Sequence, residues 1–91
     1  TLYGAEAKYL VALQWYNAGN YASAEKEILN FIDQSTPHAY WLARSFILLS
    51  DVYVAMDKKL DARQYLLSLQ QNYQADDDIA SMINERLEKL K

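Results

Sequence analysis

Hydrophobic positions recur at helical spacing along most of the chain, and short polar stretches divide them into five segments. These segments predict helices over residues 2–18, 21–34, 37–56, 60–73 and 76–90. The second is typical of a surface helix with one buried side, because Ala24, Ile28 and Phe31 form a single apolar stripe. We therefore expect an all-α fold of about five antiparallel helices.

The first and third predicted helices are apolar around most of their circumference, which indicates neighbours on more than one side. The third has about 20 residues and a length of about 30 Å, and we expect it to be the central helix. Few polar side chains interrupt it, namely Arg44, Ser45, Ser50 and Asp51. One packed hairpin cannot cover all the apolar side chains of the first helix, which include Leu2, Leu10, Val11 and Trp15.

Several residues mark where these helices begin and end. Gly19 suits a left-handed stop after the first helix. Thr36 suits the N-cap of the third helix, and Pro37 suits its first position. The fifth helix opens with the acidic run 76–78 and ends with basic residues. Acids near the start of a helix and bases near its end interact favourably with the helix dipole. One apolar face with a charged remainder is typical of a helix that caps a repeat stack.

A helical-hairpin pattern occurs twice. The stretch Trp15–Ala24 recurs in degenerate form 38 residues later as Tyr53–Ala62. A short turn makes the two helices of each pair antiparallel neighbours. Small residues stand where these helices approach closely, with Ala12 facing Ala24 and Ser50 facing Ala62. Because each hairpin alone leaves a face uncovered, the two are expected to stack.

The first copy carries a recognisable pattern of small, aromatic, glycine, aromatic, alanine and large apolar residues. Its positions are Ala12, Trp15, Gly19, Tyr21, Ala24 and Ile28. This pattern resembles the tetratricopeptide repeat (TPR), although Phe31 stands where that family usually has a small residue. The second copy matches the family at Ser50, Tyr53, Ala62, Leu66 and Leu69, and departs from it at Asp57 and Lys59. The period of 38 residues also exceeds the 34 of the family.

The resemblance implies one domain over residues 1–91, built as an α-α superhelix. Its repeats would span 5–35 and 37–73, and its capping helix 76–90. More loosely, the chain resembles the ends of large bacterial proteins that finish in such repeats. The start at Thr1 rather than Met favours a fragment of a longer protein.

Members of the TPR family bind peptides or partner proteins in a concave groove lined by the first helix of each pair. Matching positions in this chain are Glu6, Tyr9, Leu13, Tyr16, Asn17, Arg44, Ile47, Asp51 and Val54. The resemblance therefore implies a non-catalytic binding module or scaffold for a protein or peptide. The Lys, Asn and Arg clamp with which some members hold a terminal carboxylate across three repeats is not expected in two.

Two alternatives remain open for these residues. Tyr9, Leu13, Tyr16 and Ile47 would also serve simply to pack the first helix against the third, and Arg44 and Asp51 would also serve to pair with each other. A different role is structural, in which the chain self-associates or continues a longer solenoid. The surface for that role would be Leu2, Leu10, Val11 and Trp15, covered by an upstream repeat or by a second copy across a two-fold axis.

Composition gives little support to chemistry or to other kinds of partner. The chain has no Cys and one His, His38, so we expect no metal site, no cofactor and no catalytic residue. Asp76–Asp78 lack the alternating acids and glycine of a calcium loop. A net charge of −3 argues against nucleic acid. No apolar run is long enough to insert into a membrane, and the compartment is left undecided.

Overall fold

The computed structural model describes residues 2–34 and 37–91, with side chains from Gly4 onward. Its five helices are α1 (Leu2–Asn17), α2 (Tyr21–Asp33), α3 (Ala39–Ala55), α4 (Lys59–Asn72) and α5 (Ile79–Lys89). The residues described contain no β-strand. The prediction of an all-α fold of about five helices is confirmed.

The helices pack as two hairpins and a fifth helix. The closest pairs are α1 with α2 and α3 with α4, and the two hairpins meet where α3 lies against α1 and α2. Because α5 also packs on α3 and α4, α3 contacts all the other helices, as expected of the central element. Its buried side chains are Ala43, Ser45, Ile47, Leu48, Leu49, Ser50, Val52 and Tyr53.

The predicted stripe of α2 and the inward faces of α4 and α5 contribute to the core. The stripe of α2 is buried, as are Ala62, Leu66 and Leu69 of α4 and Ile79 and Ile83 of α5. The four small residues expected at close approaches, Ala12, Ala24, Ser50 and Ala62, are all buried. The Ser50 hydroxyl donates to the carbonyl of Ile47 at 2.7 Å, so this polar group is satisfied inside the core.

Both hairpin turns have the same backbone conformation. Gly19 has φ of +80°, and the N–H of Asn20 donates to the carbonyl of Trp15 at 2.9 Å. Asp57 has φ of +60°, and the N–H of Lys58 donates to the carbonyl of Tyr53 at 2.7 Å. Each is a Schellman-type helix end, whose left-handed residue is normally glycine. The predicted stop at Gly19 is confirmed, and the second turn keeps this geometry without a glycine.

Two predicted helix starts are corrected. Pro37 is not the first residue of α3, because His38 has a non-helical backbone (φ −90°, ψ 75°) and the helix begins at Ala39. The proposed cap Thr36 lies outside the described residues. Residues 76–78 precede α5 and do not form its first turn, since the helix begins at Ile79. The Asp77 carboxylate accepts from the N–H of Ile79 at 2.9 Å, so an aspartate still marks this helix start.

The fifth helix covers one face of α3. Ile79 and Ile83 of α5 belong to a buried cluster with Ala43 and Ile47 of α3. At its start the hydroxyl of Tyr40 donates to the Asp78 carboxylate at 2.9 Å. Together these contacts fix α5 across the end of the stack, where it forms one wall of a surface cavity.

Candidate functional site

A surface cavity of about 400 Å³ lies among α1, α3, α4 and α5. It is lined by Tyr16, Ser50, Asp51, Val54, Lys59, Leu66, Glu85, Arg86, Lys89 and Leu90. This volume falls within the usual range of ligand pockets, roughly 300–1,000 Å³. Apolar side chains and charged side chains both contribute to its wall, so it presents two kinds of contact to a ligand.

The apolar part of the wall comes from Tyr16, Val54, Leu66 and Leu90. Val54, near the end of α3, is 39% exposed although it is a valine. Tyr16, near the end of α1, is half-buried and has its ring 5.7 Å from that of Tyr21. Burial, followed by the nearby Asp51 carboxylate, raises the pKa of the Tyr16 hydroxyl above its ordinary value. The hydroxyl is therefore a neutral hydrogen-bond donor at physiological pH.

The charged part of the wall contains a fixed ion pair and a loose one. Both oxygens of Asp51 accept from Arg86, at 2.9 Å from Nε and 3.1 Å from Nη2. Each of these side chains is only 25% exposed, and a bidentate pair of this kind has a defined geometry. Glu85 and Lys89 are 3.7 Å apart on the surface of α5, where both are mostly exposed. An exposed pair of that type constrains its side chains little.

The structure brings three of the predicted groove residues, Tyr16, Asp51 and Val54, to the wall of the cavity. Tyr9 and Ile47 are instead buried, 7% and 1% exposed, so they are core residues and the expectation that they line an open groove is not met. The physical reason is that α5 covers Ile47 and that α3 covers Tyr9. The remaining predicted residues do not line the cavity: Glu6, Leu13, Asn17 and Arg44.

Arg44 is held by aromatic residues. Its guanidinium donates to the Tyr40 hydroxyl at 2.9 Å and to the Tyr9 hydroxyl at 3.1 Å. It also lies over the rings of Tyr9, Tyr40 and Trp41, with 5.0–5.8 Å between its central carbon and the ring centres. Arg44 and Asp51 therefore do not pair with each other, because each has partners elsewhere. Arg44 stabilises the contact between α1 and α3.

A second uncovered surface lies on the far side of α1. Leu10, Val11 and Trp15 are exposed to 44%, 42% and 40%. They are three of the four residues predicted for self-association, and the side chain of Leu2, the fourth, lies outside those described. This outer face of α1, defined by Leu10, Val11 and Trp15, is separate from the cavity, since none of its residues lines it.

Sequence reasoning missed the other lining residues as parts of the site: Ser50, Lys59, Leu66, Glu85, Arg86, Lys89 and Leu90. A signal for Arg86 was present, because Ile79, Ile83, Arg86 and Leu90 follow the i, i+4, i+7 and i+11 spacing of one helix face. That spacing places the arginine on the packed side of α5. Lys59 gave no comparable signal, since its position depends on how α4 starts after the second turn.

The described residues, 2–34 and 37–91, offer little to a metal ion or a membrane. This part of the chain holds no group of three or more His, Cys, Asp or Glu residues suited to a metal ion. None of the helices described there is both long and apolar enough to cross a membrane. His38 is half-buried at the residue before α3, with no capping hydrogen bond from its side chain.

Comparison with known protein families, with curated proteins and with solved structures gives no match for this chain.

Proposed function

We propose that this chain is a non-catalytic peptide-binding module of the TPR type, and that it holds a peptide segment in the cavity among α1, α3, α4 and α5. The observation that carries the proposal is the meeting of Tyr16, Asp51 and Val54 at one cavity. These residues come from the first helices of both hairpins, where the repeat pattern places partner contacts. A pocket with apolar walls and a few fixed polar groups suits a side chain with adjoining backbone.

The likeness of the two hairpins supports the repeat interpretation. Both turns adopt the same left-handed helix end, 38 residues apart, although only one of them has a glycine. The close-approach sites of both hairpins carry small buried residues, Ala12 and Ala24 in one and Ser50 and Ala62 in the other. A scaffold whose rigid helices leave one concave surface open is suited to binding a segment without reshaping itself.

A pair of matched valines tests the proposal. Val54 lines the cavity and Val11 lies on the outer face of α1, and their exposures are 39% and 42%. Binding of a fluorescein-labelled pool of random octapeptides is measured by anisotropy for the wild type, Val54→Gln and Val11→Gln. We expect Val54→Gln to weaken binding about fivefold or more, since it removes apolar contact without adding charge.

We expect Val11→Gln to bind as the wild type does. Both variants should keep the free energy of unfolding within about 0.5 kcal/mol of the wild type, as surface substitutions usually do. Equal binding by the wild type and Val54→Gln, or a loss confined to Val11→Gln, would remove the cavity as the binding surface.

The outer face of α1 favours a second candidate, self-association of the chain. Three large apolar side chains on one helix face form the kind of patch that a partner or a second copy covers. Solution mass by light scattering, for the wild type, Leu10→Glu and the control Leu60→Glu, separates this role from peptide binding. Leu60 is 81% exposed on α4, away from α1. A dimer that only Leu10→Glu dissociates would support self-association, and a wild-type monomer at all concentrations would exclude it.

A further inference from the structure

We infer that the cavity selects a peptide segment in which an acidic side chain stands beside an apolar one. This inference rests on the proposed function, because it names the chemistry of the ligand for the same cavity. It follows from which charges in the wall are already neutralised and which are still accessible.

The cavity wall has a small surplus of positive charge. It contains three cationic side chains, Lys59, Arg86 and Lys89, and two carboxylates, Asp51 and Glu85. The chain as a whole has a net charge of −3, so the sign at the cavity is opposite to that of the molecule. Local charge of this kind selects partners by sign when they come within about 10 Å at ordinary ionic strength.

The half-buried pair of Asp51 and Arg86 contributes little to this selection, because each side chain already has partners. Nε and Nη2 of Arg86 donate to Asp51, and its Nη1 donates to the carbonyl of Met82 at 3.3 Å. Both oxygens of Asp51 are in turn occupied by Arg86. A ligand cation therefore gains little from Asp51, and a ligand carboxylate gains little from Arg86. The pair is therefore a fixed part of the cavity wall that carries no net charge.

The accessible charges are those at the rim, and they favour an acid. Within the described part of the chain, Lys59 has no carboxylate within ion-pair distance. Lys89 is bound only loosely by Glu85, at 3.7 Å and 74% exposed. A basic ligand would have Glu85 as its accessible carboxylate in the cavity wall, and that carboxylate is already shared with Lys89. An acidic ligand can bind the unpaired ammonium group of Lys59, and the ammonium group of Lys89 can turn towards it.

The apolar side chains of the cavity wall determine which kind of residue should stand beside the acidic one in the peptide. Tyr16, Val54 and Leu90 line the same cavity as the two lysines, so a carboxylate at the rim brings the adjoining residue against apolar surface. The apolar contact supplies affinity and the lysines supply preference, as is usual for charges at an interface rim.

The test uses three fluorescein-labelled pools of octapeptides, all amidated at the C-terminus so that no terminal carboxylate contributes. They share mixed Leu, Ile, Val, Phe and Tyr at alternate positions. The intervening positions hold Asp and Glu in the first pool, Asn and Gln in the second, and Lys and Arg in the third. We expect the acidic pool to bind about fivefold more tightly than the amide pool at low salt, with the preference declining as salt is raised.

Three single substitutions, together with the double variant of the two cavity lysines, assign the preference to its residues. Lys59→Gln and Lys89→Gln should each reduce the preference for the acidic pool, and together they should abolish it. Lys26→Gln is the matched control, because Lys26 is an exposed lysine of α2 outside the cavity wall. All three substitutions change exposed side chains, so the helical circular dichroism signal and the unfolding midpoint should stay close to those of the wild type.

Each outcome tests either the inference or the proposed function. Equal or tighter binding of the amide or basic pool would overturn the inference and leave the proposed function standing. A preference for acid that survives loss of both lysines would also overturn it. If none of the pools binds at millimolar concentration, the proposed function itself fails for this cavity, and the inference fails with it.

Discussion

The first and third helices occupy equivalent places in their hairpins, but equivalent side chains on the two helices differ in burial. Leu48 of α3 is 3% exposed, and its equivalent Leu10, 38 residues earlier on α1, is 44% exposed. The pair Tyr53 and Trp15 shows the same contrast, at 8% and 40%. The types of side chain are alike, and only α3 has a hairpin packed on that face.

This difference separates what a sequence pattern specifies from what packing supplies. The repeat pattern gives α1 and α3 the same apolar positions, whereas burial depends on whether another hairpin lies alongside. The outer face of α1 therefore has the composition of an interior face. The cavity differs from the outer face of α1 in its chemistry, because charged side chains line it together with apolar ones.

The largest expected effect comes from truncating the matched leucines. Leu48→Ala should lower the free energy of unfolding by about 3 kcal/mol, since a buried leucine loses its contacts and leaves a cavity. Leu10→Ala should change it by about 0.5 kcal/mol or less in the monomer. Urea unfolding followed by circular dichroism at low protein concentration measures both. Equal losses would show that the outer face of α1 is packed in the isolated chain.

The two turns sharpen the comparison of the hairpins with effects of opposite sign. Asp57 has a left-handed backbone that glycine adopts without strain, so Asp57→Gly should stabilise the chain by about 0.5–1 kcal/mol. Gly19→Ala should destabilise it by about 1 kcal/mol. The added Cβ would meet no atom within 4 Å, so the cost is conformational and not a clash. Thermal unfolding of both variants checks the signs, and a loss of stability in Asp57→Gly would show that its carboxylate has a role in the turn.

A smaller effect is expected from the ion pair that joins α3 to α5, for which the described side chains of α1 show no counterpart. A double-mutant cycle of Asp51→Asn and Arg86→Gln should give a coupling free energy of about 0.5 kcal/mol that falls with added salt. The cycle is measured by urea unfolding at low and high sodium chloride. A coupling near zero would indicate that apolar contacts alone hold α5.

The sequence specified the helices better than it specified the site. Apolar spacing located all five helices to within about three residues at each end, and Gly19 marked the first turn correctly, because both signals are local. The sequence left open whether Ile47 lines a groove or packs in the core, since its burial depends on α5 returning across α3. The bond from Arg44 to Tyr9 likewise joins residues 35 apart in the chain. Such tertiary contacts are not encoded in any short window of residues.

The most direct test of peptide binding in the cavity is a titration of the ¹⁵N-labelled chain with the acidic octapeptide pool, followed through backbone amide chemical shifts. Our account predicts shifts concentrated at Val54, Lys59 and Leu90, with little change at Leu10 and Val11 of the outer face of α1. Shifts confined to Leu10 and Val11 would contradict it, and so would the absence of any concentration-dependent shift.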